Sequence, residues 1–279
     1  KSLRNFNISV LIMSDFWDYY EKNEQYPLIN PKDGTVVRHV NPRVLFDKIV
    51  YQAWESAEPG VIFFDKVNDY NPFYEHLGPI VTTNPCGEVL LYPNEPCNLG
   101  SINVWAFAKQ DEEGKTYLDW EALKEVTRSC TKFLDNVIDV NNFPLKAIEE
   151  MSLNTRKIGL GVMGVGDLLY EMRLPYNTEE GRKFMEQLME FIAYWSKVES
   201  IELAKTRGKL PYYDKSFYKN GRLPFRGADL REEWNLNLDK ISHDMKTYGI
   251  RNGYTTIIAP TGSISMIAGC SSGMEPVYS

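Results

Sequence analysis

Hydrophobic and polar residues alternate along Phe6 to Ile12, with Phe6, Ile8 and Val10 set against Asn5, Asn7 and Ser9, and this period of two predicts a strand. Ser14 stands where it can cap a helix that takes in Phe16, Trp17 and Tyr20. Asn41-Pro42-Arg43 opens a second helix, with Val44, Leu45, Ile49 and Trp54 on its apolar side. An apolar run at Val61 to Phe64 precedes a loop rich in Asn, Pro and Tyr. After a polar turn at Asp111 to Gly114, Leu123, Val126, Phe133, Leu134, Val137 and Ile138 follow helical spacing until Pro144 ends it. A long helix is predicted over about Thr178 to Lys205, using Phe184, Leu188, Ile192 and Trp195. Pro211 to Asn235 reads as a surface excursion, and Tyr254 to Ala259 as a β-rich run leading into a short apolar helix. Strands alternate with long helical connections, which predicts an α/β fold with mostly parallel strands, in one domain over 1–279.

Composition narrows the function classes. The 279 residues are 43% hydrophobic and 25% charged, enough to bury a large core. A net charge of -7 argues against a nucleic-acid polymer as partner, while leaving a small phosphorylated ligand open. No apolar run approaches the ~20 residues that span a bilayer, and no export leader is evident, so a cytoplasmic protein without a membrane partner is expected. Four cysteines, Cys86, Cys97, Cys130 and Cys270, are too few for a disulfide scaffold; Cys130 and Cys270 read as reduced, structural thiols. The three histidines lack ligand spacing, so no metal site is expected.

The least ordinary stretch is Asn84-Pro85-Cys86-Gly87-Glu88, continuing at Glu95-Pro96-Cys97-Asn98-Leu99-Gly100-Ser101-Ile102-Asn103. Pro85 excludes a helix interior. In an extended chain Asn84, Cys86 and Glu88 point to one side, placing an amide, a thiol and a carboxylate on one cavity. Taken alone, Asn-x-Cys-x-Glu fits equally well a loop with a buried cysteine and a solvated edge charge. Cys97 changes the balance, because the turn-like Tyr92 to Pro96 lets the chain fold back and bring the two sulfurs near each other. A second candidate site is Pro260-Thr261-Gly262-Ser263-Ile264-Ser265, where glycine and hydroxyls at a helix start offer donors to an anion; a plain Ser/Thr cap is the competing reading.

These segments resemble the ribonucleotide reductases, the adenosylcobalamin-dependent class above all. Asn84 to Glu88 and Glu95 to Asn103 resemble their finger loop and its continuation, and further matches fall at Leu3 to Val10, Arg156 to Gly161 and Ala259 to Ile264. The resemblance implies part of a ten-stranded α/β barrel with the radical cysteine on an internal finger loop. It implies that Cys86 becomes a thiyl radical and removes the ribose 3′-hydrogen, that Glu88 accepts the 3′-hydroxyl proton, and that Asn84 hydrogen-bonds the ribose hydroxyls. Cys97 matches one member of the reducing cysteine pair, and Pro260 to Ser265 the loop that binds substrate phosphates. The implied partners are a ribonucleoside di- or triphosphate, a thioredoxin-like or other dithiol reductant, and flanking parts of the same enzyme; a homodimer is compatible with it. Adenosylcobalamin is the implied cofactor, with a separate radical-generating subunit as the alternative. The other reducing cysteine and the shuttle cysteines fall outside the matched segments, so the chain is expected to be one part of the enzyme, inactive alone. Two rival readings are a nucleotide-dependent dehydrogenase, resting on Gly159-x-Gly161-x-x-Gly164, and a non-catalytic nucleotide-binding fragment. The glycines follow no clear apolar strand and are expected to serve close packing.

Overall fold

The structure, a computed structural model, describes residues 5–224 and 236–277. The predicted excursion at 211–235 and the match at Leu3 to Val10 therefore lie partly outside the described residues. In chain order the elements are β1 (Ser9–Ile12), α1 (Phe16–Lys22), β2 (Tyr26–Ile29), β3 (Val36–Val40), α2 (Pro42–Ser56), β4 (Gly60–Phe63), α3 (Phe64–Asn68), α4 (Tyr74–Leu77), β5 (Thr82–Thr83), β6 (Leu90–Leu91) and β7 (Asn98–Asn103). They continue with β8 (Ala108–Gln110), β9 (Thr116–Leu118), α5 (Trp120–Val140), α6 (Lys146–Thr155), β10 (Ile158–Met163), α7 (Val165–Glu171), α8 (Glu179–Arg207), α9 (Leu238–Tyr248) and α10 (Gly262–Ala268). Helix and strand are mixed throughout, an α/β arrangement.

Strands pair in twos: β1–β4 and β7–β10 are parallel, whereas β2–β3, β5–β6 and β8–β9 are antiparallel. The expectation of mostly parallel strands is thus corrected among the described residues. Short polar turns return the chain on itself and close hairpins instead of crossovers. At one of them the Asp111 carboxylate accepts from the Glu113 and Lys115 N–H groups at 3.0 and 2.8 Å.

The chain divides into two compact units, one of Lys1–Asn71 with Pro79–Leu91, the other of Pro72–Gly78 with Tyr92–Ser279. In the first, Asn41 caps α2 by accepting from the N–H groups of Arg43 and Val44, with Pro42 at the first helical position. Ser14 does not cap α1: Asp15 holds that position without a side-chain bond, and the Ser14 hydroxyl donates to Asp65. Ile49 is buried as expected, but Val44 and Trp54 are exposed. An aromatic cluster supplies the packing instead, with Phe16–Tyr26 and Trp17–Phe46 centroids each 5.3 Å apart in edge-on geometry.

In the second unit β7 and β10 run in register from Asn98↔Ile158 to Asn103↔Met163. The 254–259 run lies along the other side of β10 with a single parallel bridge, Leu160↔Thr256; the Leu160 N–H donates to Thr255 and the Ile257 N–H to Leu160. It is an irregular third member and not the full strand expected. Helix α5, capped by Asp119, packs on β7, β10 and α8, and α8 is capped by Thr178. Leu123, Leu160, Val162, Leu168, Leu188 and Ile192 form the center of this core. The α5 face differs from the predicted one: Phe133 is exposed, while Thr127, Thr131 and Asp135 are buried. Asp135 explains this. Its carboxylate accepts from Arg156 at 2.7 Å, Arg207 and Arg251 at 3.1 Å each, and Asn252 at 3.0 Å. Burial pushes this carboxyl up, but the bonds and charge of Arg156 and Arg251 outweigh it and hold the group below the usual carboxylate range.

Candidate functional site

Asn84, Cys86 and Glu88 lie on the loop of the β5–β6 hairpin, in the first unit. The loop is not extended. The Gly87 N–H donates to the Asn84 carbonyl at 3.1 Å, with Pro85 and Cys86 between them and Gly87 at φ +84°. Proline pre-sets the first turn position, and glycine accepts the left-handed conformation that follows. The one-sided placement predicted for the three residues from strand alternation therefore does not apply, although the hairpin keeps them within five residues of chain. Asn84 braces the loop: its Oδ1 accepts from the Val89 N–H at 3.0 Å, and its own N–H donates to the Val89 carbonyl at 3.2 Å. Cys86 is exposed at the turn, and Glu88 is half-buried with a buried Oε2 that has no hydrogen-bond partner among the described residues. That oxygen is an acceptor with unused capacity.

Cys97 belongs to the second unit and immediately precedes β7. It is half-buried, and its thiol donates to the Asn98 carbonyl at 3.5 Å. Two charged residues with no role assigned from sequence flank it. Glu95 and Lys157 form a buried ion pair at 2.8 Å, and Lys157 stands directly before Ile158, the first residue of β10. A lysine abutting an apolar strand and an acid two residues from the cysteine were the available signals.

The expected helix forms as α10, but it starts earlier than predicted: Thr261 stands at its N-cap and Gly262 to Ser265 make up its first turn. Thr261 sits at φ +52°, and its hydroxyl accepts from the Gly273 N–H at 2.7 Å. Ser265 is buried and shares a 3.0 Å hydroxyl contact with Ser272. Gly262, Ser263 and Ile264 are exposed, and a Cβ built on Gly262 would meet nothing within 4 Å. The hydroxyls thus brace the loop against 271–273 while its leading backbone stays open. Cys97 enters β7 and the Pro260 loop leaves the 254–259 run, at opposite ends of one parallel array. Six residues of strand separate these ends, roughly 20 Å along the chain direction.

Gly159 and Gly161 lie inside β10, not in a loop facing open space. A Cβ on Gly161 would come within 2.9 Å of the Ile257 carbonyl, and one on Gly159 within 2.7 Å of Leu99. Their absent side chains let the 254–259 run approach β10, the packing role expected of them. A cavity of about 770 Å³ lined by Leu169, Tyr170, Arg173, Pro175, Tyr176 and Pro276, among others, contains none of the motif residues.

The family model described as ribonucleotide reductase, barrel domain, matches residues 1–279. The chain is 40% identical over 279 residues to a vitamin B12-dependent ribonucleoside-diphosphate reductase of Thermoplasma acidophilum, covering all of this chain and 32% of that one. It is 37% identical over 277 residues to the protein of the same name from Mycobacterium tuberculosis H37Rv, covering 99% of this chain and 35% of that one. A ribonucleoside-diphosphate reductase subunit alpha of Chlamydia pneumoniae is 34% identical, with 95% of this chain and 26% of that one covered. The chain spans between about a quarter and about a third of the length of these relatives.

Proposed function

The chain belongs to the ribonucleotide reductase barrel-domain family, and from that premise we propose that residues 1–279 form part of the ten-stranded catalytic barrel of a ribonucleotide reductase, with the β5–β6 hairpin as its finger loop. The observation that carries this reading is the hairpin itself, which presents on one short loop an amide, an exposed thiol and a carboxylate oxygen without a hydrogen-bond partner among the described residues.

Cys86, as a thiyl radical, takes the 3′-hydrogen of the ribose. Glu88 accepts the 3′-hydroxyl proton through the oxygen that has no partner within the described residues. The Asn84 amide oxygen is committed to the Val89 N–H, so the ribose hydroxyls meet its Nδ2 donor. The 2′-hydroxyl leaves as water; Cys97 and a second cysteine of the enzyme supply two electrons and two protons and become a disulfide. Cys86 returns a hydrogen atom to C3′. A thioredoxin-like or other dithiol then reduces the disulfide. The substrate is a ribonucleoside di- or triphosphate whose phosphates meet the open backbone of Gly262 to Ile264 at Pro260 to Ser265.

The exposed Cys86 thiol is open to a radical source outside the hairpin, which fits adenosylcobalamin and equally a separate radical-generating subunit. The relatives named as vitamin B12-dependent favor the cofactor, which when bound supplies the initiating radical. Cys86→Ser in the complete reductase should abolish deoxyribonucleotide formation and leave nucleotide binding within about twofold, because an O–H bond is too strong to give up its hydrogen atom reversibly. Turnover by that variant would remove Cys86 from its role. Nucleotide binding by the complete parent protein without any turnover would instead favor a non-catalytic nucleotide-binding module.

A further inference from the structure

Two charged side chains buried beside Cys97 are not used by the chemistry above. Tyr92-Pro93-Asn94-Glu95 is a tight turn: the Glu95 N–H donates to the Tyr92 carbonyl at 3.0 Å, and Asn94 takes φ +63° at the third position. The Glu95 carboxylate folds back over this turn, its Oε2 accepting from the Tyr92 N–H at 3.0 Å and from Lys157 Nζ at 2.8 Å. The two side chains are 0% and 2% exposed. The Lys157 ammonium also lies 4.4 Å from the center of the Tyr254 ring. Because β7 and β10 first pair at Asn98↔Ile158, Cys97 and Lys157 are the entry residues of two adjacent parallel strands. Both line a cavity of about 80 Å³. Into it α5 presents Val137 and Ile138, the following segment Asn141 and Phe143, and α6 Ser152, so Lys157 is its one charged lining residue among the described residues. Buried ion pairs are seldom more stabilizing than apolar side chains of similar size. Stability alone therefore gives no physical reason for this one.

We propose that Glu95 and Lys157 are positioning residues for the Cys97 thiol. The carboxylate clamps the turn that delivers Cys97 to β7 and neutralizes the cation lining the cavity that Cys97 shares. The sulfur is thereby held in place as a protonated thiol, the form in which it can supply hydrogen to the reduction. The proposal rests on the reading of Cys97 as a reducing thiol.

The test uses the complete reductase chain and two readouts: the pH profile of Cys97 alkylation by iodoacetamide, followed by mass spectrometry of its peptide, and steady-state turnover. Glu95→Gln removes the buried carboxylate paired with the Lys157 cation that lines the cavity of Cys97 and should move the alkylation midpoint down, with kcat reduced and KM little changed. Lys157→Gln should move the midpoint up, and serves if the first variant fails to fold. The double variant should restore the midpoint while kcat stays low, because the charged contact that ties the turn to the start of β10 remains broken; where neither single variant folds, a parent-like kcat in the double variant overturns the proposal. Folded single variants with the parent's midpoint and kcat overturn it as well. If Cys97→Ser itself sustains multiple turnovers, the underlying reading of Cys97 has failed. If Cys97→Ser stops turnover while the Glu95 and Lys157 variants behave as parent, only the positioning proposal has.

Discussion

Lys197 should make the chain more stable as the pH rises above neutrality, and Lys197→Met should remove that dependence. The side chain lies on α8, is 3% exposed, and its Nζ has no hydrogen-bond partner among the described residues; the Tyr218 ring is centered 5.5 Å from it. Burial alone lowers its pKa from 10.5 to about 7. The sign follows from proton counting. Between those two values the unfolded chain binds a proton that the folded chain lacks, so stability rises with pH across that window. Below about pH 7 both states are protonated and the penalty is complete. One pH unit is a tenfold change in equilibrium, so the full penalty is on the order of 5 kcal/mol, falling by roughly 1 kcal/mol per pH unit above neutrality. Methionine has similar length and no charge, and should stabilize the chain by about 3–5 kcal/mol at pH 7, less any water that reaches the lysine. Urea unfolding followed by tryptophan fluorescence at pH 7, 8 and 9, with a thiol reductant present, measures both proteins. The gap between them should narrow with each step. A gap independent of pH, or a variant less stable than the parent at pH 7, would refute the reasoning.

Asp135→Ala should destabilize the chain by about 3–5 kcal/mol at pH 7, since it strips the buried Arg156 and the half-buried Arg251 of their shared carboxylate. The parent's own contribution from this group is present above the ordinary carboxylate pKa of 3.8 and lost as pH falls through the lower folded value, so acid unfolding curves of parent and variant should converge. Gly161→Ala should cost about 1–3 kcal/mol by pushing the Ile257 carbonyl away from β10, and should weaken nucleotide binding because that run leads into the Pro260 loop; unchanged melting and unchanged binding by calorimetry would contradict it. Residues 1–279 alone should form no deoxyribonucleotide with adenosylcobalamin and dithiothreitol, and flanking segments supplied in trans should restore it. Product from the isolated chain would show that its own cysteines suffice.

Local patterns were legible where one face of an element meets a core. The long helix read over Thr178 to Lys205 appears as α8, capped by Thr178, because its apolar residues repeat at helical spacing over many turns. Asn41 and Pro42 announced α2 for equally local reasons. The motif hairpin was located but misread in shape. Strand alternation predicts one-sided side chains only while the backbone is extended, and the same Pro85 and Gly87 that exclude a helix also close a turn. Antiparallel pairs such as β2–β3 were missed because neither strand alternates cleanly: Ile29, Val36 and Val37 are all exposed. The buried charges were missed for a different reason. Asp135 and Arg251 stand 116 positions apart, and no window along the chain connects them.

Those long-range pairs meet at one place. Arg156 and Lys157 are consecutive buried cations at the mouth of β10, and each answers to a different acid: Arg156 to Asp135 on α5, Lys157 to Glu95 on the Cys97 turn. Asn252, which donates to both Asp135 and the Arg156 carbonyl, extends the same network to the segment just before the 254–259 run. The entry of β10 therefore ties the approach to Cys97 and the approach to the Pro260 loop to one set of charges. Such a seam is intolerant by construction, because any single neutral substitution strands a partner in a medium that screens it poorly. A barrel strand needs only apolar residues to pack. Fixing the start of one segment relative to the start of another requires directional contacts, and hydrogen-bonded charges supply direction where apolar packing does not. On that argument the charges at 156 and 157 serve register more than stability: replacing the whole network with apolar residues would leave a foldable unit whose strand entries, and with them Cys97, are no longer held in one position.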